Sequence, residues 1–460
     1  MTNLSNTCRI TKDGVFVYSG NDHLSAEEIS MYIAQNKVDA KNKYLRNFNY
    51  YCGKHPILNN PPKPSGRPDH RIVSGIAHYI VDTYNGYFMG VSPKIFLQDK
   101  KQNEPLQDWL NGNNFVDKLA QVSKDVDIYG KAFMFIYQNE DAKTKVAVTD
   151  PTDSFVVYDD EITPHIMAYI RYWTDNDGNN VADIYYADRM DHFVSDSVET
   201  VKDYNVFKAV PAIEFYESSE RMGVFEGEIS EIDELDNALS QKANQVDYFD
   251  NAYLAILGLN LGDGAEKLNI GGNQLIYSPD ASAANAKVEF LTKPDGDNMQ
   301  ENILNRISDE IYQNSQIPNL RDKEFSGNSS GVALAYKLLP MQNKASNKEH
   351  QFTHGLRSLF KILFKVDTII NDQDAYNDLI FKFYRNVPQD FESDASVAKD
   401  LHGIVSDKTL YTILPFINDP DDEIKQVQKE QEDSVNKMKE RNADLLSDSL
   451  NKSDNEDQPA

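Results

Sequence analysis

The sequence predicts an α+β fold, in which helices and short strands occupy separate stretches of the chain. A block from about residue 131 to residue 216 alternates apolar and polar side chains with a period of two, as strands do. Patterns with apolar residues three and four positions apart lie on both sides of this block and predict helices. A chain of 460 residues is also long enough to form more than one structural unit.

The part of the chain before the strands is predicted to be mainly helical. Ser25 and Glu28 form a Ser-x-x-Glu capping box, and a helix follows to about Gly53. Residues 56–68 contain five prolines, which predict an extended loop along the surface. Two further amphipathic helices are expected over residues 71–84 and 106–127, the first of them ending at Asn-Gly.

Six short β-branched and aromatic runs then predict strands: KAFMFIYQ, KVAVTD, SFVVYDD, HIMAYIRYW, VADIYYA and AIEFYES. Residues 175–180, DNDGNN, predict the tip of a hairpin. A calcium loop is disfavoured there, because the glycine falls at the wrong position and no downstream glutamate completes the ligand set.

Two long helices are predicted over residues 226–253 and 297–316. Short strands and turns separate them, including GGNQLIYSPD and KVEFL, so the whole stretch reads as a hairpin-like stalk with a β-rich tip. The apolar residues of the first helix that keep a three/four spacing are Ile232, Leu235, Leu239, Val246, Phe249 and Tyr253.

A third long helix is predicted after a loop rich in glycine and serine, and it contains Pro340 in its first third. Pro340 removes one helical hydrogen bond and should bend the axis. Residues 341–351 carry almost no large apolar side chain, so we expect this middle part to face water or a polar partner. The following apolar stripe should be buried, and consists of Phe352, Leu356, Leu359, Leu363, Val366 and Ile370.

The formal net charge of −27 argues against a protein that wraps nucleic acid by neutralising phosphates, although DNA could still slide past such a surface. Two cysteines cannot form a disulfide framework, which indicates a reducing compartment. The N-terminus lacks the apolar core of a signal peptide and no apolar run is long enough to cross a bilayer. We therefore expect a soluble protein that is made in the cytoplasm.

No motif predicts a cofactor, a metal site or an enzyme. The chain has no phosphate-binding Gly-x-x-x-x-Gly-Lys-Ser/Thr loop, no His-Glu-x-x-His and no paired Cys-x-x-Cys. His350 and His354 have ligand-like spacing, but a solvated helix face explains them better. Carboxylates are so abundant that no catalytic pair stands out.

Four passages resemble, in the same order, the portal proteins of tailed bacteriophages of the type found in long-tailed phages of Gram-positive bacteria. They are AHYIVDTYNGYFMGVSP (77–93), DVDIYGKAFMFIY (125–137), the strand, acidic turn and long helix over 210–256, and FSGNSSGVALAYKLLPMQNKASNKEHQF (325–352). In the first passage, Val91-Ser92 puts one additional residue between Gly90 and Pro93. The resemblance runs from about residue 25 to residue 385.

The resemblance implies a portal fold with a mixed α/β wing, a two-helix stem, a small β-rich clip, a long kinked helix and a helical crown. The corresponding segments are 1–225 (wing), 226–255 (stem helix), 256–296 (clip), 297–318 (second stem helix), 319–331 (tunnel loop), 332–387 (kinked wing helix and following strand), 388–445 (crown) and 446–460 (disordered acidic tail).

The implied function is that of a homododecameric ring at one capsid vertex, which forms the channel for DNA packaging and genome ejection. Its implied partners are double-stranded DNA, a terminase large subunit, a head-completion adaptor, and the major capsid and scaffolding proteins, with no membrane. Such a protein belongs to the virion, and to the host cytoplasm during assembly.

The resemblance also implies roles for particular residues. Those of the tunnel loop that would face DNA are Arg321, Lys323, Ser326, Gly327, Asn328, Ser329 and Ser330. Those of the clip that would dock the terminase or adaptor are Gly271, Gly272, Asn273, Gln274, Tyr277 and Asp280. Pro340 would be the helix kink. Without the resemblance, residues 319–331 would be interpreted as an ordinary exposed connection between helices.

Two alternative functions remain open from the sequence. One is a magnesium-dependent DNA-processing subunit that uses clustered carboxylates. The other is a minor capsid or scaffold protein without a channel.

Overall fold

The computed structural model describes residues 2–20, 23–64, 67–201, 206–249, 253–257, 275–278, 287–291, 297–321, 331–366, 369–387, 391–413 and 420–453. The chain divides into two compact units, Met1–Asn386 and Val387–Ala460. Mixed helix and sheet make up the first unit, as the sequence predicts, and the described part of the second is helical.

An eight-stranded sheet is the largest element of the first unit, with strand order β1-β2-β3-β7-β8-β9-β10-β11. Its strands are β1 Thr2–Asn3, β2 Cys8–Ile10, β3 Phe16–Tyr18, β7 Ser154–Asp159, β8 Ile166–Thr174, β9 Asn180–Tyr185, β10 Met190–Val194 and β11 Ser197–Val201. Only the β3–β7 pair within it is parallel. The hairpin tip predicted at 175–180 is confirmed: the Asn179 amide donates to Asp175 Oδ1 at 2.8 Å.

The two faces of this sheet are covered by different elements. Helix α1 (Ala26–Asp39) packs Tyr32 against Phe16 and Phe155 on one face. A three-stranded sheet with the order β12-β5-β6 covers part of the other, and its strands are β5 Lys131–Gln138, β6 Thr144–Thr149 and β12 Ala212–Tyr216. The strands β1–β3, β10 and β11 were not predicted from the sequence, and β1–β3 contain only two or three residues each.

The N-terminal helices follow the predicted order with shifted boundaries. The capping box is confirmed, since Ser25 Oγ accepts from the Glu28 amide at 3.3 Å and Glu28 Oε2 accepts from the Ser25 amide at 2.9 Å. Helix α1 continues through a π-helical turn, Ala40–Tyr44, into α2 (Leu45–Tyr51). A 3₁₀ turn, Pro56–Asn59, lies within the proline-rich segment.

Two boundary predictions were wrong. Helix α3 (Ile76–Met89) starts later than predicted and continues through Asn85-Gly86, where Asn85 Oδ1 accepts from Ser123 Oγ at 2.7 Å. The helix predicted over 106–127 is two helices, α4 (Lys100–Gly112) and α5 (Phe115–Tyr129). They separate at Asn114, whose φ of 48° is left-handed and breaks the helical path. Strand β4 (Lys94–Phe96) precedes α4.

The predicted stalk is present as two helices with a small sheet between them in the chain. Helix α6 is Ile229–Phe249 and α7 is Asp297–Ser315. The sheet has the order β14-β13-β15, with β13 Tyr253–Leu257, β14 Leu275–Ser278 and β15 Lys287–Leu291.

The third long helix, α8 (Gly331–Leu363), contains Pro340. Its apolar stripe is buried at Phe352, Leu356, Leu359 and Leu363, but Val366 and Ile370 lie beyond its end. Strand β16 (Ile380–Lys382) then pairs with β4.

The second unit contains α9 (Phe391–Leu401), α10 (Asp407–Ile413) and α11 (Pro420–Ser453). Helix α11 extends to Ser453, into the segment 446–460 for which the sequence predicts disorder. Residues 454–460 lie outside the described part of the chain. Among the described helices, none combines the length and apolar character needed to cross a membrane.

Candidate functional site

The α6–α7 pair and its sheet form the first part of the candidate site. Lys242 on α6 forms an ion pair with Glu301 on α7, and Gln300 Nε2 donates to Gln245 Oε1 at 2.6 Å. Strand β13 leads out of α6 and pairs antiparallel with β15, which leads toward α7. These side-chain contacts and the sheet all join the end of α6 to the beginning of α7.

Several apolar side chains on this pair are exposed in the single chain. Val246 is 55% exposed, Met299 is 66% exposed and Ile303 is 47% exposed. Among the described side chains of the three/four series, Ile232 and Leu235 in the first turns are buried, Leu239 is half-buried and Val246 is exposed. Contiguous apolar surface marks a place that another molecule covers, and Met299 and Ile303 lie one turn apart on α7.

Of the residues predicted for the clip, only one lies in the described part of the chain. Tyr277 belongs to β14, next to β13 in parallel pairing. The others, namely Gly271, Gly272, Asn273, Gln274 and Asp280, lie outside the described residues.

One face of α6 is polar and is nevertheless buried, which the sequence pattern does not predict. Asp236, Ser240 and Asn244 follow one another at intervals of four residues, and all three are buried. They contact residues 70–74, which precede α3. Ser240 Oγ accepts from the Ile72 amide at 2.8 Å, and Asn244 Oδ1 accepts from the His70 amide at 2.6 Å. The repeat of short polar side chains four residues apart is the signal that could have revealed this face.

Asp236 joins α6 to two other segments. Its Oδ1 accepts from the Ser74 amide at 2.7 Å, and its Oδ2 is hydrogen-bonded to the ring of His55, which is fully buried. Burial by itself lowers the pKa of His55, but the hydrogen bond and negative charge of Asp236 outweigh it, so the pKa of His55 is raised above its ordinary value. Tyr50 donates to Asp233, one turn earlier on α6, at 2.6 Å.

The segment that follows α7 is anchored on α3 through one tyrosine. The Tyr79 hydroxyl donates to the Pro318 carbonyl at 3.3 Å and accepts from the Leu320 amide at 2.8 Å. The Tyr79 ring also packs edge-on against Tyr312 of α7, with 5.8 Å between the ring centroids.

The predicted tunnel loop begins at this anchor. Arg321 is exposed, and its amide donates to Asn319 Oδ1 at 3.1 Å. The remaining loop residues named above, Lys323, Ser326, Gly327, Asn328, Ser329 and Ser330, lie outside the described residues. The described chain resumes at Gly331, the first residue of α8.

The middle of α8 is buried on one side only, since Met341, Ala345 and Lys348 are buried, whereas Gln342, Asn343, Asn347 and His350 are exposed as the sequence predicts. Lys348 Nζ donates to Asp127 Oδ1 of α5 at 2.6 Å and to the Ser123 carbonyl at 3.2 Å, and the side chains of both Lys348 and Asp127 are fully buried. Burial raises the pKa of Asp127 to about 7, although the Lys348 ammonium acts in the opposite direction. The polar composition of residues 341–351 thus reflects a buried ion pair as well as solvent exposure.

Farther along α8, Gly355 lies against β12. A Cβ at this position would lie 2.9 Å from Cε1 of Phe215, closer than packed carbon atoms approach one another. Phe352, one turn earlier, packs against both Phe215 and Phe88. The C-terminal half of α8 is therefore fitted closely into the core of the first unit.

Three potential metal ligands meet in the turn between β7 and β8, and the sequence did not suggest them as a group. They are Asp159, Glu161 and His165. His165 Nδ1 lies 3.6 Å from Asp159 Oδ2 and 3.9 Å from Glu161 Oε2, and His165 and Glu161 are exposed. Surface ion pairing accounts for this arrangement.

Comparison with known proteins extends over most of the chain. A family described as "Phage portal protein, SPP1 Gp6-like" matches residues 31–437. The portal protein of Bacillus phage SPP1 is 21% identical over 442 residues, covering 91% of this chain and 85% of the relative. The portal protein of Clostridium phage phiCD119 is 22% identical over 429 residues, covering 82% and 90%.

A solved structure titled "Neck of empty GTA particle computed with C6 symmetry" is 12% identical, with a TM-score of 0.41, over 74% of this chain and 90% of that chain. This structural similarity is too low to support an argument, whereas the family match spans most of the sequence. The chain belongs to the SPP1 Gp6-like family of phage portal proteins.

Proposed function

We propose that the chain assembles into a closed ring, of twelve subunits as in the family pattern, at one vertex of the capsid. The ring is the channel through which a terminase packages double-stranded DNA and through which the genome later leaves. In this proposal α6 and α7 are the stem, and β13–β15 belong to the clip. The clip docks the terminase large subunit and then a head-completion adaptor, while the major capsid and scaffolding proteins surround the rest.

The exposed apolar side chains of the α6–α7 pair are the observation that carries the proposal beyond family membership. Val246, Met299 and Ile303 leave apolar surface uncovered in the single chain. A neighbouring subunit that covers this surface with a different face of its own makes a heterologous contact. Repeated contacts of this kind close into a ring when the rotation from one subunit to the next is a whole fraction of 360°.

The tunnel loop is proposed to face the DNA. Its first residues are held at a defined place, because Tyr79 bonds to both Pro318 and Leu320. Arg321 and Lys323 provide weak phosphate contacts, while Asp322 and Glu324 oppose tight binding. A chain with a net charge of −27 repels phosphate, which suits a channel that DNA must traverse without sticking.

Electron microscopy of the purified protein tests the ring. We expect closed rings with a central hole, and we expect Val246→Glu combined with Ile303→Glu to prevent their formation. Ile162→Glu is the matched control, because Ile162 is fully exposed in the β7–β8 turn, away from the α6–α7 pair. Shells, fibres or monomers of the unmodified protein would overturn the proposal.

Deletion of residues 326–330 tests the role of the loop. We expect the shortened protein to form rings and to package or retain less DNA in an assay with purified terminase and procapsids. Unchanged packaging would remove the loop from the mechanism while leaving the ring intact.

A further inference from the structure

Residues 69–74 form a segment, called the strap below, that is bonded to α6 through alternate residues. The amides of His70, Ile72 and Ser74 donate to Asn244, Ser240 and Asp236 at 2.6, 2.8 and 2.7 Å. The strap runs in the direction opposite to α6, because its residue numbers rise as those of α6 fall. Contacts by every second residue are those of an extended chain.

Two of the α6 side chains bond to the strap as a neighbouring β-strand would. Asn244 accepts from the His70 amide and also donates to the His70 carbonyl at 3.3 Å. Ser240 accepts from the Ile72 amide, and its hydroxyl also lies 3.4 Å from the Ile72 carbonyl. Each of these two strap residues therefore has its N–H and its C=O bonded to a single helix side chain.

The lengths of the two repeats explain how a helix can bond to an extended chain in this way. Two residues of extended chain advance by about 6.6 Å. Four residues of α-helix advance by about 6.0 Å. The repeats therefore drift apart by only about half an ångström per step, which three successive contacts can accommodate.

The strap is attached mainly by polar contacts, which also include an ion pair between the His70 ring and Asp247 of α6. None of residues 69–75 is buried as a whole, although the Ser74 hydroxyl oxygen is, and Ile72, the largest apolar residue, is 38% exposed. Arg71 bonds to Asp69 and to the carbonyl of Leu58, both at the surface. Detaching the strap would thus expose apolar area only at Ile72 and the half-buried Val73, and its free energy of opening should be well below that of global unfolding.

We propose that residues 69–74 are a detachable strap that sets the orientation of α6, with Asp236, Ser240 and Asn244 as the positioning residues. The strap leads directly into α3, so its attachment links α6 to the helix that carries Tyr79. Opening the strap frees the middle of α6 while the sheets and α1 stay folded. This inference concerns the chain itself and needs no DNA.

Hydrogen–deuterium exchange measured by mass spectrometry on the purified full-length protein tests the strap. Ser240→Ala should increase the exchange rate of a peptide covering residues 69–75 by about tenfold, because two hydrogen bonds are lost. Ser230→Ala is the matched control on the same helix, since Ser230 is exposed and bonds only to neighbouring Glu231 in the described structure. Ser240→Thr keeps the hydroxyl and should restore slow exchange.

Electron microscopy of the same variants tests the positioning role. The combined variant Ser240→Ala with Asn244→Ala should show α6 displaced or spread over several orientations, with the eight-stranded sheet unchanged. The proposal is overturned if exchange at 69–75 stays slow in Ser240→Ala, if the core strands exchange faster to the same extent, or if α6 keeps its orientation in the combined variant. Because rings are scored separately, these outcomes are distinct from failure of the channel proposal.

Discussion

Lys348 on α8 donates a hydrogen bond of 2.6 Å to Asp127 on α5, and neither side chain is exposed to solvent. The same ammonium lies over the rings of Tyr84 and Phe88 of α3, at 4.9 Å and 5.0 Å from their centroids. One buried cation therefore connects α8 to both α3 and α5. Lys348 lies between Gly331, where α8 begins after the proposed tunnel loop, and the apolar stripe that begins at Phe352.

Replacing only the lysine should be strongly destabilising. We expect Lys348→Met to lower the free energy of unfolding by about 3–5 kcal/mol at pH 8, because Asp127 is left buried without a counter-charge. Adding Asp127→Leu should recover most of this loss. Lys344→Met is the control, since Lys344 is only partly buried, lies 3.8 Å from Glu217 and should cost about 1 kcal/mol or less. Denaturant unfolding measures all three, and equal losses for Lys348→Met and Lys344→Met would contradict the assignment.

The cost of Lys348→Met should also depend on pH. Burial raises the pKa of Asp127 to about 7, so the folded state binds this proton more tightly than the unfolded state does. The Lys348 ammonium lowers the pKa of Asp127, so removing this ammonium should raise that pKa further. The stability of the variant therefore falls more steeply than that of the unmodified protein as pH rises. We expect Lys348→Met to lose less unfolding free energy, relative to the unmodified protein, at pH 5 than at pH 8. A difference that does not change with pH would show that Asp127 does not titrate in this range.

The buried pair of His55 and Asp236 predicts a second pH effect. The pKa of His55 is raised in the folded state, so its contribution to stability is complete below its unfolded pKa of about 6.5. That contribution is lost as pH rises through the folded pKa. The difference in unfolding free energy between the unmodified protein and His55→Gln should thus be larger at pH 6 than at pH 9. Denaturant unfolding at the two pH values measures this difference, and a difference that does not change with pH would contradict the role of the Asp236 contact.

The sequence predicted those elements whose patterns depend on the chain alone. The period-two runs located β5–β9 and β12, the three/four spacing located α6, α7 and α8, and the capping box located the start of α1. The predicted helix boundaries were wrong where the folded structure determines the backbone conformation of single residues. Asn85-Gly86 stays helical beside Ser123, and Asn114 turns the chain by adopting a left-handed conformation.

The buried faces were harder to predict than the elements. Periodicity selects apolar residues, so it selects Val246, which is exposed, and misses Ser240 and Lys348, which are buried. Polar residues become buried when a partner from a distant part of the sequence satisfies them, and the four-residue repeat on α6 does not show which segment supplies that partner. His70 and Ile72 bond to α6 across more than 160 residues, which only the folded chain reveals.

Two glycines inside helices should respond oppositely to the same substitution. Gly355→Ala places a Cβ 2.9 Å from the Phe215 ring and should cost about 1–3 kcal/mol through overpacking. Gly86→Ala in α3 is the matched change, because a Cβ there meets no atom within 4 Å. It should stabilise the protein by about 0.5–1 kcal/mol through helix propensity. Thermal or denaturant unfolding compares the two, and effects of the same sign would contradict the close contact of α8 with β12.

Pro340 provides the last prediction, because it lies inside α8 but has no amide hydrogen to bond to the preceding turn. Pro340→Ala restores that donor and should raise the free energy of unfolding by up to about 3 kcal/mol. If Pro340 sets a bend that positions the tunnel loop, the same variant should form rings but package less DNA. Leu339→Ala controls for the change in side chain, since Leu339 is its exposed neighbour. A variant that is more stable and packages DNA at the normal rate would show that the proline is not needed for the position of the loop.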